Sequence, residues 1–276
     1  MDEEVPYISI NDVTFHYGSA APVLRNISVQ CGQSSTTVLT GANGAGKSTL
    51  LKLLLGLLSP QQGTIHVAGR ISKGRALHEL AGDIAVSLQS AEHQIFSPTV
   101  RKEISFGPAN LAKVNADYLV ADAMEMFSLS EYAERHPYDL HAAQRKLITL
   151  ASAVAMDTPF LVFDEPTAGL SLPEKNIFAN ALSFLRKRGK GYILVTHDAA
   201  YGFQHCDRIL ILRDGRCVVD DSLSHFLIRP DASAAMKNAK AQLPVSSRLS
   251  RLFGQRPVAT TVRDFVPFLK EKANDY

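Results

Sequence analysis

Between Thr36 and Leu58 the chain runs from a β-rich stretch, Thr36-Thr37-Val38-Leu39-Thr40, through Gly41-Ala42-Asn43-Gly44-Ala45-Gly46-Lys47-Ser48, into strong helix formers closed by Ser59-Pro60. The middle segment fits G-x-x-x-x-G-K-[ST], and it lies where that pattern has to lie, between a strand and a helix. Glycines at 41, 44 and 46 let backbone N–H groups turn inward on phosphate oxygens, and the helix behind them adds its positive end. Asn43, Ala45 and Thr49 belong to the same cradle. Lys47 supplies a mobile cation for β- and γ-phosphates, and Ser48 a hydroxyl for Mg²⁺. A flexible glycine turn would leave the flanking strand and helix to chance, so the segment reads as a phosphate-binding loop. The helix from Lys47 to Leu58 is almost wholly apolar and must be buried.

Other segments fit an α/β protein. Tyr7 to Ile10 and Val13 to Tyr17 alternate apolar with polar residues, as a half-buried antiparallel strand does, and Asn26 to Gln30 repeats the pattern. Ile84 to Leu88 reads as a strand, and Ala116 to Leu129 and Gln144 to Met156 as helices. Phe160-Leu161-Val162-Phe163 and Tyr192-Ile193-Leu194-Val195-Thr196 are short apolar runs of the kind found in buried parallel strands, and each delivers polar residues to one sheet edge. Asp214-Gly215 between Ile209 to Leu212 and Cys217 to Val219 signals a hairpin.

Those polar residues carry the chemistry. Asp164 closes its strand with a carboxylate placed to hold magnesium, and Glu165 is left beside it to orient or deprotonate a water in line with the γ-phosphate. His197 follows the next apolar strand and can reach the same edge. A lone Asp-Glu pair or histidine is more often structural; the phosphate loop upstream changes that reading.

With these motifs in this order, the first 220 or so residues resemble the ATP-binding cassette (ABC) ATPases. The resemblance implies a P-loop fold with an antiparallel β subdomain, a RecA-like core, a helical subdomain at about 90–156 and a C-terminal extension. It makes ATP and Mg²⁺ the cofactors and ATP hydrolysis the reaction. Lys47, Gln89, Glu165 and His197 become its catalytic residues, and Ser48, Gln89 and Asp164 its metal ligands. It also makes Tyr17 the aromatic residue that stacks on adenine, although a core tyrosine fits the same position. Ala168-Gly169-Leu170-Ser171 falls at the D-loop, where the family ends in aspartate.

The largest departure is the signature, Leu-Ser-Gly-Gly-Gln in the family and Leu140-His141-Ala142-Ala143-Gln144 here. In the family, two subunits enclose two ATP molecules, each signature binding the γ-phosphate held by the opposite subunit. Losing the serine removes a hydroxyl donor, and replacing glycines puts methyl groups where the backbone must approach closely. The expectation is an asymmetric heterodimer: this chain's site is finished by a partner's intact signature, and the partner's site meets Leu140 to Gln144. A homodimer tolerating the altered signature is the alternative.

Gln89 to Gly107, with Glu92-His93-Gln94-Ile95-Phe96, and His136 to Leu140 look like the energy-coupling factor subgroup, which powers uptake of vitamins and of cobalt or nickel ions. That resemblance implies a transmembrane coupling subunit, a separate substrate-binding membrane subunit, and a peripheral position on the cytoplasmic face of the cell membrane. A soluble ABC ATPase, such as one of iron–sulfur assembly, and a weakly hydrolysing regulatory subunit are the competing readings.

Composition narrows the field. A net charge of +2, from 29 basic and 27 acidic residues, gives no electrostatic case for a nucleic-acid partner. The basic stretch from Lys237 to Arg256 reads as a solvated face. Cys31, Cys206 and Cys217 lack metal-ligand spacing and read as packing residues in a reducing compartment. The acidic start Met1-Asp2-Glu3-Glu4 is unlike an export signal. The longest apolar runs fall short of the ~20 residues that span a bilayer. We expect the ATPase domain over 1–221 and the extension over 222–276, with a helix around Ala232 to Gln242 and apolar residues such as Val262, Phe265, Phe268 and Leu269 that either pack on a partner ATPase or cap the chain's own core.

Overall fold

The structure, a computed structural model, describes residues 6–268 apart from positions 74, 76, 240, 256 and 262. Strand β1 (Ile8–Phe15) opens the chain and pairs antiparallel with β2 (Leu24–Cys31). Strand β3 (Thr36–Gly41) runs through the phosphate loop into helix α1 (Lys47–Leu54). After β4 (Gln62–Val67), β5 (Arg70–Ile71), α2 (Leu77–Ala81) and β6 (Ile84–Ser87) comes a helical insertion of α3 (Val100–Asn110), α4 (Ala116–Met126) and α5 (Ala142–Ala155). The chain returns through β7 (Phe160–Asp164), α6 (Leu172–Lys187), β8 (Gly191–Val195), α7 (Ala199–His205) and the hairpin β9 (Arg208–Arg213) and β10 (Arg216–Ser222). It continues with α8 (Leu223–Ile228), α9 (Ala232–Asn238) and α10 (Val245–Leu252).

Two sheets form. The smaller, antiparallel one has the order β2-β1-β4-β5; the larger has the order β10-β9-β3-β8-β7-β6 and is parallel except at the β9–β10 hairpin. Period-two alternation gives the larger sheet two buried faces. Leu161 and Phe163 of β7, Tyr192 and Leu194 of β8, and Ile209 and Ile211 of β9 pack with the helical insertion. Phe160 and Val162, Ile193 and Val195, and Leu210 and Leu212 pack instead with α1 and the smaller sheet. A slip of one residue in any of these strands would exchange its two faces.

Two differences from the sequence reading, at the ends of α1 and α4, have local causes. Helix α1 stops at Leu54, not Leu58, because Gly56 takes a φ of +70° and its position abuts Leu80, so the breaker is this glycine rather than Ser59-Pro60. Leu57 is then left exposed, beyond the buried part of the helix. Helix α4 ends at Met126, where Ser128 turns back with φ +56°. Helix α3, a segment for which the sequence reading gave no element, runs through Gly107-Pro108, with Pro108 buried and its carbonyl accepting from the Lys113 N–H at 3.0 Å. Beyond Asp221, α8 and α9 bury Leu223, Phe226, Leu227, Ala232 and Met236 in the same core as Tyr192, Cys206 and Ile209. Of the extension's apolar residues, Phe265 is buried, while Val262 and Leu269 lie outside the described residues.

Candidate active site

Because β3, β8 and β7 are parallel neighbours, their carboxyl ends open onto one edge, with Leu39 and Asp164 both in register with Val195. Ligands of open α/β sheets bind at such edges. A cavity of about 460 Å³ lies there, lined by the phosphate loop (Asn43, Gly44, Gly46, Lys47, Ser48, Thr49) together with Gln89, Asp164, Glu165 and His197. Lys47 and His197, 150 positions apart in sequence, thus share one pocket wall only because the strands pair as they do.

Two glycines of the loop are forced by space. At Gly41, φ +153°, a Cβ would lie 2.3 Å from the Leu212 carbonyl oxygen; at Gly46, φ +105°, it would lie 2.6 Å from Leu24 Cδ2. The Lys47 ammonium donates to the carbonyls of Gly41 at 2.8 Å and Ala42 at 3.1 Å, which curls the loop around it. Burial lowers the Lys47 pKa from its ordinary value, and the charges of Glu165 and Asp164 oppose that shift.

Asp164 is buried, and its pKa is raised by burial and then by the neighbouring Glu165 carboxylate, against the charges of Lys146 and Lys47. Glu165 sits in the left-handed region at φ +46°, held by its N–H donating to the Val195 carbonyl at 2.8 Å. A non-glycine residue there carries backbone strain that the surrounding hydrogen bonds must offset. Its Oε2 accepts from Thr196 Oγ1 at 3.2 Å and lies 3.0 Å from His197 Nδ1. The carboxylate is therefore oriented from two sides, as a base needs to be.

Residues to which the sequence reading gave no role in the site also meet here. The buried Lys146 of α5 donates to the carbonyls of Leu88 at 2.9 Å, Gln89 at 3.1 Å and Asp164 at 3.4 Å. Burial brings its pKa down to about 8, opposed by Asp164 and Glu165. The available signal was a lysine beside Arg145, at the start of the helix's apolar stretch. Thr196 and the cavity-lining Val23 carried none, while Ala168, the first residue of the D-loop segment, lines the cavity as well.

Tyr17 lies outside the cavity lining: its ring is 45% exposed, meets Phe15 edge-on at 4.9 Å, and places its hydroxyl 3.3 Å from Thr49 Oγ1. The segment Leu140 to Gln144 does not line the cavity either. His141 is the N-cap of α5, and its N–H donates to Gln144 Oε1 at 3.2 Å, so this glutamine side chain caps its own helix. The cavity-lining residues of the loop and those of the altered signature are thus separate in one chain.

Ser48, Gln89 and Asp164 offer hard oxygen donors on one wall, the chemistry Mg²⁺ takes. Among the described residues no group of three His, Cys, Asp or Glu side chains is placed to hold a metal alone.

Comparison with known proteins agrees. The sequence pattern of the ABC transporter family matches residues 24–168. The energy-coupling factor transporter ATP-binding protein EcfA2 of Methanospirillum hungatei is 30% identical over 92% of this chain, which spans 64% of that relative's length. The cobalt import ATP-binding protein CbiO of Rhodobacter capsulatus is 31% identical over 94% of this chain and 95% of its own length. In fold, the chain superimposes on cbiO1 of Clostridium perfringens with a TM-score of 0.71 at 24% identity, covering 90% of this chain and 99% of the other. The chain belongs to the ABC transporter family and is an ABC-type ATPase related to the ATP-binding proteins of energy-coupling factor and cobalt import systems.

Proposed function

We propose that this chain energises an energy-coupling factor type importer, for vitamins or for cobalt or nickel ions, as one half of an asymmetric ATPase pair at the cytoplasmic face of a membrane. The observation that carries the reading is the single cavity shared by Lys47, Ser48, Gln89, Asp164, Glu165 and His197. Lys47 and the loop N–H groups bind the phosphates, and Tyr17 stacks on adenine. Ser48, Asp164 and Gln89 hold Mg²⁺, which neutralises charge on the β- and γ-phosphates when bound. Glu165 takes the proton of the attacking water, and His197 contacts the γ-phosphate while holding Glu165 in place. Leu140 to Gln144, with His141, Ala142 and Ala143 in place of Ser-Gly-Gly, contacts nucleotide on the partner ATPase through the helix N-terminus that the segment still provides.

Attachment to the membrane falls to other chains; the described residues contain no helix long and apolar enough to cross one. A groove of about 610 Å³ beside the ATP cavity suits the short coupling helices of a transmembrane subunit. Phe96 and Phe106, both exposed and meeting edge to face at 4.7 Å, stand in its wall with Leu57 and Met156. Gln94 lies in the same wall and hydrogen-bonds Leu88 N–H at 2.7 Å, one residue from Gln89. The exposed apolar stripe of α10, Val245, Leu249 and Leu252, is the part of the extension suited to a partner ATPase. Substitution tests the site. Lys47→Ala is expected to weaken ATP binding and abolish turnover. Glu165→Gln is expected to keep ATP bound and slow hydrolysis at least ~10²-fold, the scale of a lost general base; unchanged turnover in Glu165→Gln would refute the assignment.

A further inference from the structure

Lys146 is the buried charge that the proposed mechanism does not use. Its ammonium has three protons and finds three carbonyls: Leu88 and Gln89 after β6, and Asp164 at the end of β7. Its other neighbours by charge are the carboxylates of Asp164 and Glu165. One turn further along α5, Thr149 Oγ1 lies 3.2 Å from Ser87 Oγ, so the same helix face grips the end of β6 twice. On the opposite side of the Leu88–Gln89 segment, Gln94 holds Leu88 N–H and donates to the Val86 carbonyl at 3.3 Å. The main chain that carries Gln89 is therefore fixed between Gln94 on the groove side and Lys146 on the site side.

We propose that Lys146 is a positioning residue for the metal site: it ties the Gln89 main chain to the end of the Asp164 strand, and so sets the separation of two side chains that are to share one Mg²⁺. A neutral spacer of the same length would fill the same space but leave these three carbonyls without a donor. Geometry is what a charged donor adds here. Strands β6 and β7 are paired only as far as Ser87 and Phe163. Past that point Lys146 takes over the role of the ladder, spanning Leu88, Gln89 and Asp164 with one group. Outer partners that fix where the ligands of a metal lie typically matter ~10- to 100-fold in metal affinity.

The inference rests on the reading of Asp164 and Gln89 as metal ligands, and its test separates the two. In the full-length chain, Mn²⁺ affinity in the presence of a non-hydrolysable ATP analogue is measured by electron paramagnetic resonance, and ATP affinity in excess chelator serves as a check on the phosphate loop. Lys146→Met is expected to weaken Mn²⁺ binding by ~10-fold or more while metal-free ATP affinity stays within about threefold. Lys146→Gln, whose amide restores N–H donors, is expected to recover part of the loss. Mn²⁺ affinity within about twofold of wild type in Lys146→Met, with Asp164→Asn strongly impaired, overturns the positioning role alone. An unimpaired Asp164→Asn removes the metal-site reading and this role with it. Should Lys146→Met fail to bind ATP without metal, Lys146→Gln decides: near-wild-type Mn²⁺ affinity with hydrolysis intact overturns the proposal, and a ~3- to 10-fold loss upholds it.

Discussion

Gly41→Ala isolates the backbone requirement of the phosphate loop. A methyl carbon on Gly41 would stand 2.3 Å from the Leu212 carbonyl oxygen and 3.2 Å from its carbon, where real contacts essentially never fall below 3.0 Å. The obstacle is main chain of β9, paired in register with Gly41, so no side-chain rotation relieves it. The end of β3 must move away by about 0.7 Å, taking the carbonyl that Lys47 bonds with it. Crowding of this sort costs about 1–3 kcal/mol, and the φ of +153° adds about 1–3 kcal/mol for a residue with a side chain. At ~2–4 °C per kcal/mol for a domain of this size, a loss near 4 kcal/mol lowers Tm by roughly 8–16 °C. The matching control is Gly254→Ala, with φ +72° and nothing within 4 Å, which carries only the left-handed strain, about 1–2 kcal/mol. Thermal unfolding and equilibrium ATP binding are the assays, with ATP affinity expected to fall by ~10²-fold, the scale of a 1 Å misplacement in a site. A Gly41→Ala protein that melts no lower than Gly254→Ala and binds ATP as wild type does would refute the reasoning.

Three further outcomes follow from the structure. Restoring Ser-Gly-Gly at His141, Ala142 and Ala143 should raise turnover at the partner's site and leave this chain's own site unchanged; single-site turnover in a reconstituted pair reads it, and equal rates before and after count against asymmetry. The His205 pKa is lowered to about 4, by burial first and by Arg186 second. Between pH 6.5 and 4 the unfolded chain therefore binds a proton that the folded chain refuses, so stability falls as pH falls. The loss is about 2 kcal/mol between pH 7 and 4.5; urea unfolding of His205→Gln should show a flatter dependence, and an identical slope would contradict it. Phe226→Ala should cost about 3–5 kcal/mol, because Phe226 is wholly buried in the main core; a loss below about 1 kcal/mol would show α8 to be an appendage.

What was legible in the sequence depended on how local its cause is. The phosphate loop was readable because glycine spacing, lysine and helix start all act within eight residues. The ends of β7 and β8 were readable because buried parallel strands are short and uniformly apolar, which left Asp164, Glu165 and His197 as the residues after them. Gln89 needed the order of the motifs, since nothing around a glutamine announces a site. Lys146 was not legible: its role depends on α5 lying across the ends of β6 and β7, a tertiary fact. The same holds for α8, whose six residues are too short to show a helical period, whereas α9 falls within the helix read around Ala232 to Gln242. Helix α3 was hidden by Gly107-Pro108, a pair that ends most helices but here falls in the last turn.

The most direct test is to purify the tagged chain from its native membranes, identify what comes with it, and measure ATP hydrolysis by the chain alone and in that complex. The account predicts a second ABC ATPase with an intact Leu-Ser-Gly-Gly-Gln signature, a multi-spanning membrane protein, and hydrolysis mainly in the complex. A soluble homodimer with full activity and no membrane partner would contradict it.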